Sequence, residues 1–297
     1  MGSGSPLSNV GTLTNQGIEL EVGYKLSVDK VNLSFLANAS YVKNEIKNLG
    51  NQTGYIDKES LPTLGTVSRN ENGYPIGYFF GYKAIGVFQT QEEIDSYISP
   101  ATGKPIQPNA APGDTKFEDL NGDGVISDDN EDRTMIGKPN PDWMVGLTVA
   151  ADWNGFDLSA FFQGSFGADV FDALRRYELA AVNYTSDALE RWTGPGTSNS
   201  MPRIVLGDTP KNFRPSTLLV HDASFLRLRN LQVGYTLPAQ LTRKAYIQRL
   251  RFYASFDNLL TITGYKGMDP EIGSTMGIDK GVYPQARVYT FGLNLTF

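Results

Sequence analysis

Apolar and polar residues alternate in seven segments of the chain, which are 17–28, 31–44, 142–153, 156–167, 224–236, 248–261 and 285–297. Because successive side chains of a strand point to opposite faces of a sheet, this alternation predicts strands with one apolar face. Each segment is also long enough to cross a bilayer as a tilted strand, which needs ~9–11 residues. The pattern therefore predicts an all-β fold of seven antiparallel strands.

The last segment alternates without interruption, so one face of its predicted strand is wholly apolar. A soluble sandwich alternates in the same way, and the pattern alone leaves both classes of fold open. The apolar positions are Tyr289, Phe291, Leu293, Leu295 and Phe297, and the residues between them are Thr290, Gly292, Asn294 and Thr296.

Short and long connections between the seven segments alternate strictly. The short ones are 29–30, 154–155 and 237–247, and Asn154-Gly155 is a strong hairpin signal because both residues tolerate positive φ. The long ones are 45–141, 168–223 and 262–284. Outer-membrane barrels have short periplasmic turns and long extracellular loops. The order of the connections therefore predicts a transmembrane β-barrel with long extracellular loops, in which Phe297 lies on the periplasmic side.

Two elements are predicted inside the long connections. Residues 78–89 form an apolar segment, which we expect to be a hairpin outside the membrane. In the stretch 168–192, Val170, Leu174, Tyr177 and Ala181 have helical spacing, which predicts a short helix. Loops of this length are usually functional or disordered, and their aromatic content favours function.

The composition excludes several classes of protein. A net charge of −6 argues against a nucleic-acid binder. The lack of cysteine excludes disulfides and thiolate metal sites, and the single histidine, His221, excludes multi-histidine sites. No apolar run reaches the ~18 residues of a membrane-spanning helix. No signal peptide opens the chain, and residues 1–5 look like a linker, a tag remnant or an arbitrary start, so the missing signal fits truncation and cytoplasmic residence equally. Seven strands would leave two open edges in lipid, which favours a truncated gene or an excerpt.

Residues 119–132 contain the front half of a calcium-binding loop. Such a loop has oxygen ligands at positions one, three and five, a glycine at six and a backbone carbonyl at seven. Asp119, Asn121, Asp123 and Val125 fill the ligand positions, and Gly124 fills the turn. Ca²⁺ is therefore the one cofactor that the sequence indicates.

The closing ligand of this loop departs from the pattern. Position twelve, which should hold a bidentate carboxylate, is Asn130. Asp129, Glu131 or Asp132 could still complete the ligand set, and we take Asp132 as the candidate. The alternative is a turn without metal, in which Asn and Asp side chains bond to local amides. Prolines on both sides argue against the flanking helices of an EF-hand.

Six aromatic residues of the long connections are candidates for stacking on sugar faces. Packing within the loops or against a partner is the alternative, which we favour. Trp143 and Trp153 lie at predicted strand ends and indicate the aromatic girdles of a membrane interface. The six candidates are Tyr74, Tyr78, Phe79, Tyr82, Tyr177 and Trp192.

The sequence gives little support to an enzyme. It contains no phosphate-binding loop and no nucleophile elbow, and its carboxylates form no recognisable catalytic pair. His221, the one base available to a serine triad, is interpreted as incidental. Two alternatives to a transmembrane barrel stay open. The first is a secreted or surface calcium-dependent carbohydrate-binding β-module, which requires a water-soluble fold with both sheet faces covered. The second is a soluble β-rich hydrolase.

A series of short motifs runs along nearly the whole chain. They are NVGT at 9–12, NQGIEL at 15–20, GDTKFEDLNGDG at 113–124, IGKPNPDW at 136–143, RWT at 191–193, ASFLRLRN at 223–230, GYTLP at 234–238, NLLT at 258–261, YKGMDPE at 265–271 and the end from 283 to 297. Each motif alone is weak, but together and in this order they resemble the C-terminal portion of SusC/RagA-type TonB-dependent transporters.

The resemblance implies that residues 1–297 are the C-terminal segment of a large plugged barrel, which has 22 strands in such transporters. The plug domain has no counterpart here. The family imports glycans, oligosaccharides or peptides across the outer membrane of Gram-negative bacteria such as Bacteroidota. Import is driven by TonB, through the missing N-terminal part, and a SusD-like surface lipoprotein covers the barrel. No loop motif names the substrate, and an isolated segment is expected to be inactive.

The terminal strand, 289–297, resembles the signal read by the barrel-assembly machinery. Such recognition would add the strand to an open sheet edge and read alternate side chains. The other interpretation is simply the closing strand of the barrel, and both can hold together.

Overall fold

The computed structural model describes residues 11–128, 131–179, 181–272 and 276–297. Its main elements are seven long strands, which fall where the alternating segments predict them. They are β1 (Thr12–Val28), β2 (Val31–Asn48), β3 (Trp143–Trp153), β4 (Phe156–Phe166), β5 (Phe225–Thr236), β6 (Arg249–Thr263) and β7 (Val288–Thr296).

The seven strands form one antiparallel sheet in which each strand pairs with its neighbours in the chain. The all-β prediction and the strand order are therefore confirmed. Strands β1 and β2 are longer than predicted, because their pairing continues from Val28 opposite Val31 to Thr12 opposite Asn48. Asn154 and Gly155 have φ values of 48° and 86°, as the predicted tight turn requires.

One face of the sheet is apolar across all seven strands. Register places Tyr24 opposite Phe35 at one edge and Ala254 opposite Phe291 at the other. These side chains are uncovered: Ile18 is 74% exposed and Phe291 is 74% exposed. The sheet therefore presents a wide apolar surface rather than a packed core.

The opposite face of the sheet is mainly polar. Glu21 lies opposite Asn38 there, and Ser255 lies opposite Thr290. The strict alternation predicted from the sequence thus sorts the side chains into two chemically different faces. Among the described residues, no helix is long and apolar enough to cross a bilayer.

The three long connections fold together beyond one end of the sheet, and we call them the loop layer (45–141, 168–223 and 262–284). Its buried core draws on all three: Phe79 from the first, Phe171 from the second and Ile278 from the third are each at most 2% exposed. The short strands of the layer are Tyr55–Asp57, Ser60–Leu61, Gly65–Thr66, Ser68–Glu71, Tyr78–Tyr82, Ala84–Val87, Thr115–Phe117, Arg133–Gly137, Asp169–Asp172, Val220–Asp222 and Ile278–Asp279.

Helical structure is brief in the described residues. Helix α1 (Gln91–Ser96) lies in the loop layer, where the Thr90 hydroxyl accepts a hydrogen bond from the Glu93 amide as its N-cap. Helix α2 (Ala239–Thr242) lies in the short connection between β5 and β6. The 3₁₀ turns are Ser186–Glu190, Leu206–Asp208, Thr217–Leu219 and Arg243–Ala245.

The predicted hairpin at 78–89 is wrong. Strand Tyr78–Tyr82 pairs with Arg133–Gly137 and with Ser68–Glu71, whereas Ala84–Val87 pairs with Thr115–Phe117. Only Lys83 separates the two strands, and the common hairpin turns need at least two residues. The chain bends here and enters a second small sheet.

The predicted helix at 168–192 is also wrong, because none of the four residues whose spacing predicted it lies in a helix. Asp169–Asp172 is a strand that pairs antiparallel with Val220–Asp222 and parallel with Ile278–Asp279. A 3₁₀ turn follows at Ser186–Glu190. Short apolar runs do not distinguish a strand from a helix, and here partners far along the chain decide.

Most of the aromatic candidates for sugar stacking are buried. Tyr78, Phe79, Tyr82 and Tyr177 are at most 4% exposed, whereas Tyr74 and Trp192 are half-buried. The prediction of exposed stacking rings is therefore wrong for the first four, and the alternative of packing within the loops is confirmed for them.

Candidate functional site

A cleft of about 550 Å³ opens where the polar face of β1–β3 meets the loop layer. We call it the junction cleft. Its floor comes from side chains on the polar face, and its walls come from residues 73–76 and 135–142 of the first long connection. The residues used below are Val42, Asn44, Ile76, Met135, Lys138 and Met144.

Side-chain amides hold the wall and the floor of the junction cleft together. Asn44 accepts a hydrogen bond from the Ile76 amide at 2.8 Å and donates one to the Asn15 side chain at 2.5 Å. Asn140 donates to the Ile76 carbonyl at 3.1 Å. The backbone around Ile76 is thus tied to the end of β2, so the cleft has a defined shape.

The junction cleft combines apolar groups with charges at its rim. Met144, on β3, is 48% exposed, and Ile76, in the loop layer, is 39% exposed. Both lie next to polar side chains of the strands. The Lys138 ammonium donates to the Asp142 carboxylate. Lys43 and Glu45 also border the cleft, but the register places their side chains with Tyr41 on the apolar face. An apolar floor with a few convergent polar groups is the usual chemistry of a ligand site.

A second cavity, of about 570 Å³, lies between the first and second long connections of the loop layer. Its lining carries charges of both signs. The Arg214 guanidinium lies 4.7 Å from the centre of the Tyr82 ring and 3.7 Å from Asp128. Burial raises the pKa of Asp208 to about 6, although its carboxylate accepts hydrogen bonds from the Asn212 and Phe213 amides. Among the described lining residues, Arg214 Nη1 and Glu178 Oε2 are buried without a hydrogen-bond partner.

The connection between β6 and β7 contacts the polar face, and we call its described residues, 264–272 and 276–287, the strap. Arg227 of β5 anchors it: this side chain is 2% exposed and donates to Asp269 at 2.5 Å and to Glu271 at 3.0 Å. Arg229 lies 3.0 Å from the same Glu271. Farther along the strap, Ile278 pairs with Phe171. The strap therefore links the sheet to the rest of the loop layer, and the sequence motifs LRLRN and DPE bond to each other.

In the predicted calcium loop, the candidate ligands bond to the loop's own amides. Asp119 accepts from the amides of Gly122 and Gly124, both at 2.9 Å. Asn121 accepts from the Asp123 amide at 3.0 Å, and Asp123 accepts from the Val125 amide at 2.8 Å. These are the contacts of Asx turns, which need no metal to satisfy them.

The candidate closing ligand, Asp132, is fully buried and accepts hydrogen bonds from the Leu120 and Ser127 amides, both at 3.1 Å. Burial raises its pKa. Residues 129 and 130 lie outside the described part of the chain. Within that part, no three acidic or histidine side chains converge to hold an ion. The calcium site at Asp119, Asn121, Asp123, Val125 and Asp132 stays a prediction.

His221 lies in the loop layer beside a charged network. Its Nε2 is 3.7 Å from Asp172, which also pairs with Arg175 at 2.8 Å, and its ring is 6.1 Å from that of Tyr265. Burial lowers the pKa of His221. Its surroundings are those of a packed interior residue.

Aromatic rings cluster at both ends of the apolar face. Trp143 packs against Tyr41 at 5.0 Å between ring centres, at the end next to the loop layer. At the short-turn end, Phe156 packs against Trp153 at 6.2 Å and Tyr235 at 4.4 Å. The predicted girdle tryptophans therefore lie at opposite ends of one strand, on the apolar face.

The chain is similar over its whole length to known bacterial receptors, although no family model matches it. It is 32% identical to TonB-dependent receptor P3 of Formosa agariphila over 310 residues, which is 100% of this chain and 30% of the relative. It is 30% identical to TonB-dependent receptor SusC of Bacteroides thetaiotaomicron over 295 residues, which is 97% of this chain and 27% of SusC.

Solved structures agree with these relatives. The RagAB peptide transporter superposes with a TM-score of 0.74 at 27% identity, over 97% of this chain and 30% of the matched chain. The RagAB peptide importer in an open-open state gives a TM-score of 0.73. The chain thus spans less than a third of the length of the curated relatives described above.

Proposed function

We propose that this chain, a relative of the SusC/RagA-type TonB-dependent receptors across its whole length, forms part of the wall and the outer mouth of an outer-membrane nutrient importer. One observation carries the proposal: seven paired strands expose an uninterrupted apolar face bounded by aromatic rings, with a mainly polar face behind it. A lipid-facing barrel wall requires this arrangement.

In the proposed importer the polar face lines the lumen, and the loop layer lies outside the cell. Strands β1 and β7 pair with further strands of the barrel, because unpaired backbone amides in lipid cost several kcal/mol each. The strap and the junction cleft then lie at the entrance to the lumen, where incoming nutrients first meet the wall.

The partners follow from the family. A SusD-like lipoprotein covers the loop layer, and TonB drives transport through the N-terminal part of the complete receptor. The barrel-assembly machinery inserts the barrel by recognising residues 289–297. The similarity to SusC and to the RagAB transporter supports the first two partners. The uninterrupted apolar positions of β7 support the third.

A soluble carbohydrate-binding module is less consistent with the fold, because it would have to cover the apolar face. Ile18, Leu20 and Phe291 are 63–74% exposed on that face. Exposed apolar surface of this extent marks contact with lipid or a partner.

The test is to locate the complete receptor in its unaltered native host, and to measure nutrient uptake after deletion of its gene. We expect the receptor in the outer-membrane fraction, with heat-modifiable migration on a detergent gel, and loss of uptake of one class of nutrient. Recovery of the protein in the soluble fraction, or unchanged uptake of glycans and peptides, would contradict the proposal.

A further inference from the structure

We infer that the second cavity, between the first and second long connections, binds a small zwitterion that carries one ammonium group and one carboxylate. Two buried polar atoms of opposite charge type, Glu178 Oε2 and Arg214 Nη1, belong to its lining and have no hydrogen-bond partner. Such binding is a property of the loop layer itself, and it does not depend on the proposed import function.

Glu178 provides a hydrogen-bond acceptor that the loop layer leaves unused. Its side chain is 9% exposed, and its Oε1 accepts hydrogen bonds from the Arg176 Nε and from the Thr63 hydroxyl at 3.1 Å. The other oxygen, Oε2, is buried and accepts none. Because a buried carboxylate oxygen has lost its hydration, a donor on a ligand restores a bond that water provided. A charged donor such as an ammonium group makes a shorter and stronger bond to it than a neutral donor does.

Arg214 provides a hydrogen-bond donor on the same long connection. Its guanidinium lies 4.7 Å from the centre of the Tyr82 ring and 5.0 Å from that of Phe117, and its Nε donates to the Lys211 carbonyl at 3.2 Å. Its Nη1 is 3.7 Å from the Asp128 carboxylate, which is beyond hydrogen-bond distance. The side chain is therefore held in place by its other contacts, while Nη1 can still donate to the carboxylate of a ligand.

Other charged groups of the lining are engaged within the protein. Lys211 pairs with Asp128, and Asp208 accepts hydrogen bonds from two backbone amides at 2.8 and 2.9 Å. Arg133 donates to the Phe80 carbonyl at 2.7 Å. A ligand would therefore meet the two unpartnered atoms without displacing these bonds.

The size and charge of the second cavity fit a molecule of amino-acid size. Its volume of about 570 Å³ lies within the range of small-molecule sites, about 300–1,000 Å³. A hydroxyl group could bond to either atom, but charged partners bond to a carboxylate or a guanidinium more strongly. A zwitterion supplies both charged partners in one molecule and brings no net charge into the loop layer. Because the lining comes from both connections, a bound zwitterion would fasten them together.

The experiment measures the melting temperature of the complete receptor, purified in detergent, at rising concentrations of small zwitterions. The probes are glycine, β-alanine, γ-aminobutyrate, δ-aminovalerate and ε-aminohexanoate, in which one to five carbon atoms separate the ammonium group from the carboxylate. We expect at least one probe to raise the melting temperature saturably, because a ligand that binds only the folded state stabilises it.

Three compounds control for effects of charge and of solutes in general. Methylammonium chloride and sodium acetate each supply one of the two charged groups, and betaine is a zwitterion without an N–H donor. We expect none of them to match the effective probe. If no probe produces a saturable rise, or if betaine produces the same rise, the inference is overturned, and water alone occupies the cavity.

A substitution then tests whether the second cavity is the site. Glu178→Gln keeps the shape of the acceptor and removes its charge, and we expect the half-maximal probe concentration to rise at least about fivefold. Glu190→Gln is the matched control, because Glu190 is exposed on the turn Ser186–Glu190 and does not line this cavity. An unchanged half-maximal concentration for Glu178→Gln overturns the inference.

A second variant covers the case in which Glu178→Gln does not assemble. Arg214→Gln should weaken binding by a similar factor, with Arg243→Gln at an exposed arginine as its control. Unweakened binding by Arg214→Gln also overturns the inference. Uptake by the deletion strain tests the proposed function alone. Unchanged uptake contradicts that function, whereas a melting temperature that no probe raises contradicts only the zwitterion site.

Discussion

Asp157 of β4 and Arg251 of β6 bond to each other across the strand that separates them. The Arg251 Nε donates to the Asp157 carboxylate at 2.8 Å, and Gly234 of β5 lies directly beneath the pair. A Cβ at Gly234 would lie 2.5 Å from both side chains. The ion pair thus exists because the intervening strand has no side chain at this point.

Gly234→Ala is expected to break this ion pair in the complete receptor. The added methyl group would displace both side chains, and overpacking of this kind costs about 1–3 kcal/mol. The effect is measured as the temperature at which half of the receptor has changed its migration on a detergent gel. Gly23→Ala is the control, because a Cβ there meets no atom closer than 3.7 Å. Equal midpoints for the two variants would contradict the prediction.

Arg227→Gln is expected to release the strap. The substitution leaves Asp269 without its buried cation, and removing one partner of a buried pair costs about 3–5 kcal/mol. Trypsin should then cleave at the exposed Lys266 faster than in the unaltered receptor, as mass spectrometry of the fragments would show. Arg243→Gln, at an exposed arginine of the turn after β5, is the control. An unchanged cleavage rate would show that the strap is held by other contacts.

Asp208 is expected to make the second long connection less stable as the pH rises. Burial raises the pKa of Asp208 to about 6 in the folded protein, from 3.8. The folded state therefore binds the proton more tightly than the unfolded state. The resulting stabilisation is complete below about pH 4 and is lost as the pH rises through about 6.

Comparison with Asp208→Asn isolates this effect, because the amide is neutral at every pH. Between pH 5 and pH 7.5, the melting temperature of the unaltered receptor should fall relative to that of the variant. Asp95→Asn, on the exposed part of α1, controls for a general change of charge. A difference that is the same at both pH values would refute the assignment.

The calcium prediction is tested by titrating CaCl₂ into the complete receptor in a calorimeter. The ligand spacing of residues 119–132 predicts a single binding event. Asp123→Ala should abolish it, and Asp95→Ala should not. If the unaltered receptor releases no heat, the loop is a turn held by its own amides alone, with Asp119 and Asp132 as the acceptors.

Removal of Phe297 is expected to reduce assembly of the barrel. The side chain is 75% exposed at the end of β7 and continues the apolar positions of that strand, which the assembly machinery is proposed to read. The fraction of receptor with heat-modifiable migration in outer membranes is the measurement. Tyr283→Ala, at a strap residue that is 89% exposed, is the control. Undiminished assembly would assign Phe297 to barrel closure only.

The sheet was predictable because its determinants are local. Alternation over a dozen residues defines a strand and its two faces, and Asn154-Gly155 defines a turn, without reference to distant parts of the chain. The seven strands, their order and the placement of Trp143 and Trp153 on one face all follow from such patterns. The alternation of short and long connections likewise predicted that the loops gather at one end.

Only the tertiary structure decided how the long connections fold. Val170 was expected in a helix but lies in a strand, because Val220–Asp222 and Ile278–Asp279 supply its partners from far along the chain. Tyr78 and Tyr82 are buried for the same reason, and the pairing of Arg227 with Asp269 joins two motifs that are 42 residues apart. Periodicity reports which face of an element is apolar. It does not report which distant element covers that face, because the covering contacts form only when the whole chain has folded.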